Sequence, residues 1–129
     1  MQKGKLNIIF GWIWLLAALL VGAYLQTKHG AGPEWLKSSR KVFWGVFHAH
    51  ASLLALVNIL YGYCFERVNL GNRLKTAGSL LLIAGTILFS GAFFLAGFSQ
   101  GFIKLARPGT LCVIASIGIL ISGLIRQPQ

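Results

Sequence analysis

The residues with the widest chemical range in this chain are the histidines of Phe47-His48-Ala49-His50-Ala51-Ser52, with Asn58 about two turns further on if the segment is helical. Imidazoles can ligate haem iron or copper, relay protons or hydrogen-bond a quinone, and polar or ionisable groups inside a membrane span are expensive enough to mark function by default. On a strand, two histidines one residue apart point the same way and could share a metal; on a helix they diverge by about 200°. A metal held by both is therefore not expected on a helix, and copper through His48, His50 and His29 meets the same objection. Haem ligated by two histidines needs its second ligand on a facing helix, and the one other histidine, His29, lies in a connection. Cofactor binding at His48 or His50, whether haem or quinone, thus implies a site shared with a partner subunit, and no intrinsic cofactor or metal is expected.

Other chemistry is sparse. Aspartate is absent and the two acids, Glu34 and Glu66, fall in connecting segments, so no span carries the paired carboxylates of glycoside hydrolysis or aspartyl catalysis. Neither intramembrane histidine has an acidic neighbour to complete a nucleophile triad. No catalytic residue is assigned, and the chain is not read as an enzyme. Cys64 and Cys112 fall near opposite membrane faces and should not pair, which leaves them as small buried hydrophobes.

The elements that must position these residues are long apolar runs. Of 129 residues, 56% are hydrophobic and the mean hydropathy is +0.72, too much apolar surface for a soluble core of this size to hide. Charged residues sit at the ends of four runs, about 8–25, 42–64, 74–98 and 109–125, each long enough to cross the hydrocarbon layer. The first run, preceded by Lys3 and Lys5 and ending near Val21-Gly22-Ala23, resembles a secretory signal, yet its length qualifies it as a span. The expected architecture is all-α: one integral membrane domain over 1–129, a four-helix bundle with both termini on the same side. Pro33 opens a short interfacial helix with Trp35 and Leu36 as anchors. Asn69, Gly71 and Asn72 make a tight turn between antiparallel second and third helices, and 99–108 lies at the membrane surface with Pro108 starting the last helix.

The formal charge of +10 lies beside these runs, so anionic lipid headgroups, not nucleic acid, are the expected partner. Lys3, Lys5, Arg67, Arg73, Lys75 and Arg126 fall on one side and Lys28, Lys37, Arg40, Lys41, Lys104 and Arg107 on the other. This balance leaves orientation unassigned, as in a protein that inserts both ways round or one held by partner subunits.

Lipid offers helices no hydrophobic drive to associate, so small residues and interhelical hydrogen bonds must do it. The expected seams are Gly11, Ala18 and Gly22 on the first helix; Ala51, Ser52, Ala55, Ile59 and Gly62 on the second; Ser79, Thr86, Ser90 and Gly97 on the third; and Cys112, Ser116 and Gly123 on the fourth. Trp12, Trp14, Tyr24, Trp44, Tyr61 and Tyr63 are assigned to interfacial belts. His48 projects with Ser52, Ala55 and Gly62 toward the bundle seam, whereas His50 shares a side with Leu54, Val57 and Tyr61. His48 reads first as a neutral histidine bonded to a serine, threonine or carbonyl of a neighbouring helix, with proton relay or quinone binding as the functional alternatives. Asn58 reads as interhelical glue, and Ser79, Thr86 and Ser90 as helix contacts or the edge of a narrow polar path.

Val21-Gly22-Ala23-Tyr24 with His29, the His48 region followed by Leu53-Leu54-Ala55-Leu56, Leu88-Phe89-Ser90-Gly91 and Pro108-Gly109 together resemble the YgdD-type family of small four-helix membrane proteins of unknown function. The chain departs from that pattern in lacking a Gly-Ala-His ending to the first helix and in having the His48-Ala49-His50 pair. The resemblance implies a bacterial inner-membrane protein and no catalytic residues. Three functions remain in view. The first is a non-catalytic subunit or assembly partner of a larger membrane complex, respiratory or energy-transducing among the settings considered, with other subunits or further copies of the chain as partners. The second is a small transporter or channel using His48, His50 and Asn58, and the third a haem- or quinone-binding subunit that shares its site.

Overall fold

The computed structural model describes residues 3–65 and 67–126. Glu66 and the Lys3 side chain, both counted above, lie outside the described residues. Among those described, the chain forms five α-helices, α1 (Lys3–Thr27), α2 (Pro33–Leu36), α3 (Ser39–Phe65), α4 (Asn72–Ala96) and α5 (Ala106–Ile125), with a 3-10 segment at Gln100–Leu105 and no strand. Four helical stretches, Gly4–Thr27, Ser39–Phe65, Asn72–Ala96 and Gln100–Ile125, are long and apolar enough to cross a bilayer. The protein is an all-α, integral membrane four-helix bundle.

The helices run past the hydropathy limits at several ends. α1 starts at Lys3 rather than near Ile8, and α3 at Ser39 rather than near Val42, since charged residues are tolerated near span ends where water is within reach. α2 begins at Pro33, where the missing N–H costs nothing. It follows Gly32, whose φ of 85° lies in the region that favours glycine. Pro108 does not start α5 but is its third residue, in the first turn, where proline is tolerated.

Successive spans are antiparallel. Gly4 faces Gly62, Gly11 faces Ala55 and Gly22 faces His48, which sets α1 against α3. Tyr61 lies on Gly78 and Trp44 on Gly97, which sets α3 against α4, while Gly85 meets Val113 and Gly78 meets Ile119 between α4 and α5. The start of α1 lies against the end of α3, and Gly123 near the end of α5 packs on Val68 and Leu70 of the α3–α4 turn, so the two ends of the bundle's chain share one membrane face.

Packing is closest within two pairs, α1 with α3 and α4 with α5, and the pairs join mainly where α3 meets α4. Glycine makes the pairs close. A Cβ at Gly11 would lie 2.6 Å from Ile59 Cγ1 and 2.7 Å from the Ala55 carbonyl oxygen, and one at Gly85 would lie 2.9 Å from the Gly109 carbonyl oxygen, distances real Cβ atoms do not adopt. Two apolar clusters result. Ala18, Phe47 and Ala51 pack with Trp14, Val21, Phe93 and Phe94 toward one face, and Tyr61, Phe65 and Leu82 pack with Val57, Val113 and Leu120 toward the other.

Candidate functional site

Alongside the second cluster lies a polar core. Asn7 Nδ2 donates to Asn58 Oδ1 at 3.0 Å, and Asn58 Nδ2 donates to Thr86 Oγ1 at 2.8 Å and to the Leu54 carbonyl at 2.9 Å. Ser79 Oγ donates to Asn7 Oδ1, and Thr86 Oγ1 donates to the Leu82 carbonyl at 2.8 Å. Asn7, Asn58, Ser79 and Thr86 are between 0 and 3% exposed, so these bonds replace water completely. In hydrocarbon an unsatisfied amide costs several kcal/mol by order of magnitude, and this mutual pairing ties α1 and α3 to two successive turns of α4.

Asn7 has no place in the sequence-derived site. Its neighbours Lys3 and Lys5 put it outside the expected first span, although it extends the Gly11, Ala18, Gly22 strip by a further helical turn. That spacing was the available signal. Ser90 accepts from Trp14 Nε1 at 3.0 Å and donates to the Thr86 carbonyl at 2.6 Å, so it too joins α1 to α4. Trp14 thereby turns into the bundle instead of an interfacial belt. Tyr61 does the same: it is buried against Gly78 and hydrogen-bonds Ser116, which itself donates to the Gly78 carbonyl at 2.7 Å. Ser52 bonds within its own helix, to the His48 carbonyl at 2.7 Å.

The two histidines part company as helix geometry requires. His48 faces α1, with Nδ1 2.8 Å from the Ala18 carbonyl, a contact that makes Nδ1 the protonated nitrogen. Gly22 permits this approach, since a Cβ there would lie 2.5 Å from His48 Cε1. His50 turns toward α4. Its Nδ1 is 3.0 Å from the Val46 carbonyl, and its ring lies 5.4 Å from Phe89 and 5.8 Å from Phe93. Although Leu54 and Tyr61 on the same nominal side are buried, His50 is exposed. Among the described residues no three His, Cys, Asp or Glu side chains converge as metal ligands, and Cys64 and Cys112 are unpaired.

At the face that carries α2, aromatic rings and cations interleave. Tyr24 makes edge contacts with Trp35 at 6.3 Å and Trp44 at 5.5 Å, and Trp44 stacks on Phe94 at 5.4 Å and donates Nε1–H to its carbonyl at 3.0 Å. Lys28 lies over Tyr24 at 5.6 Å, and Arg40 lies over Trp44 and Phe98 while donating to the Gly97 carbonyl at 3.3 Å. Gly97 is thus the cap of α4 and a bed for the Trp44 indole.

Beside this belt a crevice of about 250 Å³ opens between α1 and α3, lined by Gly22, Gln26, His29, Lys41, Gly45 and His48. A larger hollow of about 520 Å³ between α1 and α4, lined by Trp14, Val21, Phe47, Leu88, Leu95 and Leu105, has almost wholly apolar walls suited to hydrocarbon chains. No family model, curated protein or solved structure matches this chain in sequence or structure comparison.

Proposed function

We propose that the chain is a non-catalytic integral subunit or assembly partner of a larger membrane complex, and that α5 is the helix that meets the partner. One observation carries this reading. α5 is held by α4 on one side, while its outward face presents Ala115 and Gly118, both exposed, with nothing within 4 Å of where a Gly118 Cβ would stand. Small residues on an outward helix face let a second backbone approach closely, which is how helices associate in lipid. The polar residues that a transport path would need are turned to another use, since Asn58, Ser79 and Thr86 spend their hydrogen bonds on one another, on Asn7 and on helix carbonyls.

The resemblance to the YgdD-type family supports a bacterial inner membrane as the setting. Extraction in a mild detergent followed by native mass measurement tests the proposal: the chain should travel with a second copy or another subunit, and Gly118→Leu should release it without unfolding it. A chain that always travels alone refutes it. A shared cofactor is the second reading, favoured by His50: it stands exposed with Nδ1 committed to Val46, leaving Nε2 as the atom a partner-held group would meet. It requires a visible spectrum or extractable quinone in the native assembly that His50→Leu removes, and material with neither retires it.

A further inference from the structure

The crevice between the end of α1 and the first half of α3 is an unusual hollow for a membrane protein, because four polar side chains stand among its otherwise apolar walls. Its mouth holds Gln26 from α1, His29 from the following turn and Lys41 from α3, and its floor holds His48. Lys41 and His48 are seven residues apart on one helix, about 10 Å by helical rise, so the hollow runs from the headgroup level into the span. The Tyr24, Trp35 and Trp44 rings beside it mark the same level.

Two glycines make the space. Gly22 lets the His48 ring lie against α1, and Gly45 has nothing within 4 Å of a would-be Cβ. His48 Nδ1 is engaged by the Ala18 carbonyl, and Nε2 has no hydrogen-bond partner among the described residues. Since no buried side-chain nitrogen or oxygen among the described residues lacks a hydrogen bond, Nε2 is not sealed in but accessible. None of the described Asp or Glu residues lines the hollow, so nothing on its walls neutralises the Lys41 ammonium. The walls therefore combine a fixed cation, two imidazoles and an amide around a volume larger than a phosphate group requires.

We propose that this crevice binds a phosphate-bearing anion, with Lys41, His29 and Gln26 around the phosphate oxygens and His48 Nε2, the acceptor nitrogen of its ring, taking a hydroxyl of the ligand at the inner end. The phosphate reaches this depth either as the headgroup of an anionic phospholipid or as free phosphate from the aqueous side. The site is independent of the α5 surface, and its failure leaves the subunit reading untouched.

The test uses the full chain in nanodiscs. Native mass spectrometry counts phosphatidylglycerol retained against phosphatidylcholine, and titration with inorganic phosphate in phosphatidylcholine discs is followed by the His48 imidazole 15N signals. Lys41→Gln removes the fixed charge, Gly45→Leu fills the space without a Cβ clash, and Lys75→Gln removes a cation at the opposite face; circular dichroism verifies that each variant is folded. Preferential phosphatidylglycerol retention that falls about fivefold in Lys41→Gln, the scale of one interfacial cation, and falls also in Gly45→Leu but not in Lys75→Gln, supports the site with a lipid source. A His48 shift driven by inorganic phosphate and abolished by the same two variants supports it with a soluble source. Equal retention in wild type, Lys41→Gln and Gly45→Leu with no phosphate-dependent shift overturns the proposal, and so does a loss shared equally by Lys75→Gln, which would mean diffuse attraction.

Discussion

Replacing Asn58 with alanine takes away the acceptor of Asn7 and a donor to Thr86 in one step. Its third bond, to the Leu54 carbonyl within α3, adds nothing between helices. Interhelical hydrogen bonds in membrane proteins are worth about 0.6 kcal/mol on average and about 1.7 at most, so two of them set a loss of about 1–3 kcal/mol. Asn7→Ala should cost a comparable amount, because it severs the bonds to Asn58 and Ser79. The Asn7–Asn58 bond is lost in both single variants and can be lost once only in the double variant. The double variant should therefore fall short of the sum of the singles by about 0.6–1.7 kcal/mol. Reversible unfolding in mixed micelles with rising denaturing detergent, followed by circular dichroism, measures all four corners of the cycle. Additivity to within about 0.3 kcal/mol would show that the two amides are not coupled and would dismantle the account of the polar core.

Other outcomes follow from the same contacts. Gly11→Leu should part α1 from α3 and cost more than about 2 kcal/mol, since its Cβ alone overlaps Ile59 and Ala55, whereas Gly118→Leu should leave the isolated chain's stability unchanged; unfolding curves of both compare them. Trp14→Phe keeps the ring's packing on Phe47 at 6.3 Å but deletes the bond to Ser90, and should lower stability by about 0.6 kcal/mol in the same assay. His50→Leu, on the exposed flank beside Phe89 and Phe93, should stay within about 0.5 kcal/mol of the parent, and a large loss there would mean the flank is covered.

Much of the fold was legible before the structure because lipid imposes simple rules. Run length and charge placement give the spans, and the helix period gives the Gly11, Ala18, Gly22 strip that meets α3. What the period cannot give is the rotation and tilt of the neighbouring helix, and those decide the partners. Ser52 and Ser79 look alike on a helical wheel, yet one bonds back to its own helix while the other crosses to Asn7. The helical period groups His50 with Leu54 and Tyr61, yet it stands exposed, its ring lying on Phe89 and Phe93 of α4. Asn7 lies just before the first apolar run and beside Lys5, so hydropathy alone leaves it outside the span. The crevice at His48 was not legible, since it depends on glycines of two helices falling at one height.

The pairing of α1 with α3 and of α4 with α5 has a consequence for how the chain enters the bilayer. α1 with α3, and α4 with α5, are each neighbours along the sequence, and the links that close them, 28–38 and 97–105, lie at the same membrane face. Each is thus a helical hairpin able to insert by carrying a single loop across, with contacts between near neighbours in the chain. The two hairpins join through hydrogen bonds of their own: Asn58 to Thr86, Ser79 to Asn7, Trp14 to Ser90 and Trp44 to the Phe94 carbonyl. A ribosome finishing α3 has therefore made half of the molecule complete but for its polar flank, which waits for the second hairpin to arrive and sets the rotation at which it docks.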